Sequence, residues 1–228
     1  MIGRANDKKK RFSLGIQSME YIIKEIPDCE LQIISDLTGI YFLQNICNNL
    51  NILNNIKYLG YTSIPDIYFK NASLHIFPSL TESFSLVLSE TKIYGIPTIL
   101  VGIDYISLAK GGTIIIFDES PESIAKESIK IMNNYKYKKN LSLEARKSMK
   151  TLNNEVLSKK WINLILSIFN NENFYLNLEE KKKEKKITID NALNILNNQI
   201  NFMKKRNERF NNMTKNNFIN FTYIENYI

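Results

Sequence analysis

Five short runs of β-branched and aliphatic residues, each followed by a stretch with helical spacing, constrain this chain more than any other feature. The runs are 31–35 (LQIIS), 56–60 (IKYLG), 74–78 (LHIFP), 98–102 (TILVG) and 113–117 (TIIIF), and each is short enough to be a strand. Segments 13–25, 39–49, 64–71 and 83–94 carry apolar residues at helical spacing. Adjacent parallel strands need a long crossover and antiparallel ones do not, so strict alternation predicts an α/β fold, a parallel sheet with helices on both faces. The runs are apolar throughout rather than at every second position, as suits strands buried on both faces. The punctuation agrees. Gly95-Ile96-Pro97 closes one helix and launches the next strand, and Gly111-Gly112 breaks the chain before TIIIF. Ser120-Pro121-Glu122 sets an N-cap, a first-turn proline and an early acid in order, predicting a helix over 121–133.

This pattern stops near residue 170. The expected organisation is one Rossmann-like domain over 1–170, a charged linker over 171–186 that contains LEEKKKEKK, and a helical tail over 187–228. In the tail Ile189, Leu193, Ile195, Leu196, Ile200 and Met203 recur at roughly helical intervals. A chain of 228 residues has room for one well-buried domain and an appendage, but is short for two full α/β domains. Hydrophobic residues at 44% and charged residues at 23% exclude a disordered chain. The net charge of +7 points to an anionic partner, whether a nucleotide diphosphate, an anionic membrane surface or a nucleic acid. A sequence-wide richness in Asn, Ile and Lys weakens that inference. Cys29 and Cys47 are too few for a disulfide scaffold and read as free buried thiols in a reducing compartment. Residues 1–10 have no apolar core behind their charges, unlike a secretory signal. The longest helical apolar stretch, 161–169, falls well below the roughly 20 residues a membrane span needs. The expectation is a cytoplasmic protein, at most peripheral at a membrane.

The chemistry is concentrated in residues 77–97, FPSLTESFSLVLSETKIYGIP. A buried strand ends at Pro78, a polar loop follows and a helix is expected to begin near Phe84. That places the loop and the helix start at the carboxyl edge of a parallel sheet, where open α/β folds take their ligands. First-turn N–H groups and the positive end of the helix dipole suit an anion. Glu82 and Glu90, with seven residues between them, bracket this element. A carboxylate accepts hydrogen bonds from both hydroxyls of a sugar diol, so the pair can grip two sugars joined by a diphosphate. On spacing alone, they are equally two solvent-facing acids near a helix start, where acids are favourable anyway.

Glu82, Ser83, Phe84, Ser85, Glu90, Gly95 and Pro97 fall in register with the signature of the retaining GT-B glycosyltransferases called glycosyl transferase group 1, which the chain resembles. Such enzymes carry Glu, seven residues, Glu and then Gly-x-Pro in their donor-binding half. The resemblance implies transfer of a sugar from a nucleotide-sugar donor to an acceptor hydroxyl with retention. It assigns the transferred sugar to Glu82, the ribose to Glu90, and donor contacts to the helix start at Ser83, Phe84, Ser85 and Leu86. The family usually has glycines where Ser83 and Ser85 stand. Gly3-Arg4 with Lys10 six residues after the arginine resembles the family's Gly-Arg-(loop)-Lys element, whose cations approach the diphosphate. Fixed cations stabilise a leaving nucleoside diphosphate most in the transition state, when its charge grows. Arg11 stands where the family usually has glycine, so Lys9, Lys10 and Arg11 compete for the role. Leu59-Gly60-Tyr61 resembles the turn near the nucleotide base, which makes Gly60 a donor contact.

With no Asp-x-Asp motif and no Cys/His cluster, no metal and no cofactor beyond the donor substrate are expected. No Gly-x-Gly-x-x-Gly or Walker loop is present either. His75 reads as a satisfied core histidine, and Trp161 as a packing residue. The resemblance covers about 1–170 and leaves no acceptor-binding half. The chain is then a fragment, a piece that works with a separate acceptor-binding domain or subunit, or a degenerate remnant. The expected partner is a nucleotide sugar, with the separate acceptor-binding domain or subunit and peripheral membrane contact as further options and no nucleic acid. The alternative is a non-catalytic nucleotide-sugar-binding or interaction module.

Overall fold

A computed structural model describes residues 1–36, 38–104 and 106–169. The expected linker over 171–186 and tail over 187–228 lie outside the described residues. The chain divides into two compact units, 1–150 and 151–228.

The first unit runs α1 (Phe12–Glu25), β1 (Leu31–Ile34), α2 (Ile40–Asn49), β2 (Ile56–Gly60), α3 (Asp66–Phe69), β3 (His75–Phe77), α4 (Leu86–Ile93), β4 (Thr98–Val101), β5 (Thr113–Ile116), α5 (Pro121–Asn133) and α6 (Tyr135–Ser148). All five strands pair in parallel: β1 with β2 in one ladder, and β3, β4 and β5 in order in a second, with helices on both faces. The backbone of residues 1–3 lies alongside β1. Gly3 N–H donates to Ile34 O, and Ile34 N–H to Met1 O, each at 3.0 Å.

The core explains the sequence pattern. All four residues of β4 and all three of β3 are buried, hence runs without alternation. Ile16, Met19 and Ile22 recur along one face of α1 and are at most 1% exposed, meeting Ile124, Ala125 and Ile131 in the same cluster. Gly112 shows why the double glycine is needed. Its φ is +69°, and an added Cβ would lie 2.5 Å from the Leu141 carbonyl oxygen and 2.6 Å from the Ala145 nitrogen, so α6 packs directly on its backbone.

Strands 56–60 and helix 121–133 have the expected bounds, and most other elements differ by a residue or so at either end. Several expectations need correction. Helix 83–94 starts later, at Leu86, because Ser85 is held outside helical geometry and caps the helix instead. Helix 64–71 shrinks to a single turn, Asp66–Phe69, behind Pro65, which disfavours helical geometry in the residue before it. His75 is buried, but only half satisfied. Its Nδ1 lies 3.4 Å from Thr98 Oγ1, whereas its Nε2 has no hydrogen-bond partner among the described residues. Burial holds its pKa well below the usual imidazole value, so the ring is neutral.

Cys47 is buried, Cys29 is half-buried, and both are free thiols. In the second unit, α7 (Asn154–Phe169) has no buried residue. Trp161, expected to pack, is 64% exposed there. No helix among the described residues is long and apolar enough to cross a membrane.

Candidate functional site

Two loops meet at the carboxyl ends of β1, β3 and β4. The first, residues 4–11, leaves the segment beside β1 and enters α1. The second, residues 78–85, leaves β3 and enters α4. Sequence reasoning placed cations on the first and a glutamate on the second. The structure ties them together at several points.

Ala5 N–H donates to Ser35 Oγ at 2.8 Å, which anchors the first loop to the end of β1. Asp7 caps the short turn over Lys8–Lys10, accepting from Lys9 N–H at 2.9 Å. Leu80 N–H then donates to Lys9 O at 2.6 Å, joining the two loops through their backbones. Next to that link Lys10 Nζ donates to Glu82 Oε1 at 2.5 Å, both side chains being mostly buried, 23% and 12% exposed. The ammonium also sits 5.9 Å from the centre of the Phe77 ring.

The three competing cations are separated. Lys9 faces solvent. Arg11, in the left-handed backbone region with φ 47° and ψ 43°, turns its guanidinium into the sheet edge. It donates to Pro78 O at 2.5 Å and to Val101 O at 3.1 Å, and pairs with the buried carboxylate of Glu119. Arg11 thus bolts both loops to β4 and the entrance of α5. Glycine is the residue that best suits a positive φ, and the arginine accepts that conformation in return for these bonds. Lys10 pairs with Glu82.

Arg4 is 73% exposed along its side chain and pairs with Asp7 at 3.1 Å. The structure does not bring it to Glu82. An exposed arginine with a local acid partner is held weakly, since such a pair contributes at most about 1 kcal/mol.

The start of α4 is shaped by Ser85, whose φ of 67° is unusual for a residue with a side chain. Its hydroxyl accepts from Leu88 N–H at 3.3 Å, so the helix uses one of its own first-turn donors internally. Ser83, Phe84 and Leu86 are exposed around it. Glu90, one turn into α4, is partly buried. Burial, and then the neighbouring Asp66 carboxylate of α3, push its pKa above the ordinary carboxylate value. Gly60 ends β2 with φ +74° and accepts from Ser35 N–H at 3.2 Å. A Cβ added there would meet nothing within 4 Å, so the backbone edge is open to a ligand.

Sequence reasoning missed Glu119 and Asp66. Glu119 follows the last strand at the carboxyl edge, a place that could have drawn notice, but nothing local reveals its partner 108 positions away. Asp66 reads as the opening acid of a short helix, and its effect on Glu90 exists only once α3 and α4 are neighbours.

The family described as glycosyl transferases group 1 matches residues 1–148. The chain belongs to that family. Among curated relatives, a Haemophilus influenzae protein described as an uncharacterized glycosyltransferase is 26% identical over 90 residues, 40% of this chain and 26% of that one. Among solved structures, the pneumococcal O-GlcNAc transferase GtfA in complex with UDP and GlcNAc superposes with a TM-score of 0.65 at 16% identity, over 75% of this chain and 35% of GtfA. The C-terminal domain of a Francisella tularensis group 1 protein, LpcC, gives a TM-score of 0.56 at 16% identity, over 66% of this chain and 83% of that domain. The group 1 chain described here thus has the Rossmann-like fold of GT-B glycosyltransferases. It spans about a quarter of the curated relative and about a third of GtfA.

Proposed function

We propose that this chain is the donor half of a retaining glycosyltransferase. It binds a nucleotide sugar, and a separate domain or subunit presents the acceptor hydroxyl. One observation carries the reading: Lys10 and Glu82, 72 positions apart in sequence, meet at 2.5 Å on the carboxyl edge of a parallel sheet, beside the start of α4. A cation and a sugar-binding carboxylate at one point suit a ligand that joins a diphosphate to a sugar.

Each residue has a role in this account. Lys10 takes the diphosphate, and the loop amides of Ser83, Phe84 and Ser85, with the first-turn amide of Leu86, help to hold it. Arg4, exposed and paired with Asp7 among the described residues, swings in as a second cation. Glu82 accepts hydrogen bonds from the transferred sugar, Glu90 from the ribose diol, and the base lies over Gly60. As the glycosidic bond breaks, the charge growing on the leaving diphosphate is met by Lys10 and Arg4, and no metal takes part. UDP, bound by GtfA, is the first nucleotide to try.

The test is calorimetric titration of UDP into the chain and into Glu90→Gln. The amide keeps one acceptor oxygen and loses the charge, so affinity should fall about tenfold, with chelator making no difference. Unchanged affinity in the variant would remove Glu90 from the nucleotide site and favour a binding module with other contacts. Retention itself is read from the anomeric configuration of the product once an acceptor partner is supplied.

A further inference from the structure

Lys10 is already engaged before any ligand arrives. Its ammonium donates to Glu82 at 2.5 Å, and the loops on either side are stitched by Leu80 N–H to Lys9 O at 2.6 Å. Both side chains are mostly buried, so the pair is shielded from solvent more than a surface ion pair is. A diphosphate approaching Lys10 meets a carboxylate in the same place, and the two anions repel.

We propose that Glu82 is a specificity-determining residue that competes with the diphosphate for Lys10 and so weakens the binding of nucleotide that carries no sugar. The inference rests on the donor-binding reading above. An intact donor brings hydroxyl groups, which donate to the Glu82 carboxylate and replace the Lys10 ammonium as its partner. Spent nucleoside diphosphate has only its ribose hydroxyls, which the donor-binding reading gives to Glu90, and brings none to Glu82. Binding it takes Lys10 from Glu82 and leaves the carboxylate mostly buried without that cation, a cost the intact donor avoids. The same pair that receives the donor therefore helps to eject the product, a step that often limits turnover.

The experiment is calorimetric titration of UDP into four proteins: the unaltered chain, Glu82→Gln, Lys10→Met and the double variant. Glu82→Gln should bind UDP about three- to tenfold more tightly, the scale of a partly exposed ion pair. Lys10→Met should bind more weakly. In the Lys10→Met background the Glu82→Gln change should have no further effect, because the competition is for Lys10. Unchanged or weaker binding by Glu82→Gln overturns the proposal, since it would mean that Glu82 organises Lys10 for the phosphate. Equal tightening with and without Lys10 also overturns it, leaving only general charge repulsion. Should Glu82→Gln fail to fold, Glu82→Asp shortens the side chain, keeps the charge and should give a smaller gain of the same sign. If the unaltered chain shows no heat with UDP, the donor-binding reading itself fails, an outcome distinct from both.

Discussion

Ser85 shows how a single side chain trades one term against another. A φ of 67° costs a residue with a Cβ about 1–2 kcal/mol, and the hydroxyl recovers a similar amount by capping α4 at Leu88. Ser85→Ala keeps the strain and loses the cap, so the chain should lose about 1–2 kcal/mol of stability in urea denaturation. Ser85→Gly loses both together and should stay within a few tenths of a kcal/mol. Lys92 is the opposite case. It is fully buried on α4, donates to Lys110 O at 2.6 Å, and burial lowers its pKa to about 8. The unfolded chain therefore holds this proton up to about pH 10.5, while the folded chain releases it near 8. Folding is penalised below pH 8, and the penalty fades as pH rises to 10.5. Compared with Lys92→Met in urea melts, the unaltered chain should gain stability over that window, by at most on the order of 3 kcal/mol.

At the scale of elements, the architecture was largely legible because strand burial on both faces and glycine punctuation are local signals. Residues 98–101 could be little else than a buried strand, residues 113–116 form a half-buried strand beside it, and Gly112 had to be small where α6 crosses it. The site was legible only in part. Lys10 and Glu82 were named from the resemblance, but their contact was not, because ion pairs between residues 72 apart leave no periodic trace. Arg11 was harder still. As a basic residue in a basic stretch it looked like a ligand for phosphate, whereas its left-handed backbone and the Glu119 carboxylate turn it into a structural clamp. The clamp is testable. Arg11→Met leaves Glu119, 5% exposed, as a buried charge without its guanidinium, and should cost about 3 kcal/mol in thermal or urea unfolding. A loss below about 1 kcal/mol would show that the two loops hold themselves at the sheet edge without it.

For the molecule as a whole, a net charge of +7 favours anions in general, so nucleotide binding must be separated from mere attraction. The group 1 match over residues 1–148 accounts for the Rossmann-like unit, and the matched part of the chain covers about a quarter of the curated relative's length. The central claim is that Lys10, on the carboxyl edge of the sheet, holds a nucleoside diphosphate. The most direct measurement is calorimetric titration of UDP into the chain and into Lys10→Met, at low and at physiological salt. The account predicts saturable binding of one UDP per chain, weakened about tenfold in Lys10→Met at both salt concentrations. No heat at millimolar UDP, or equal affinity in the variant, would contradict it.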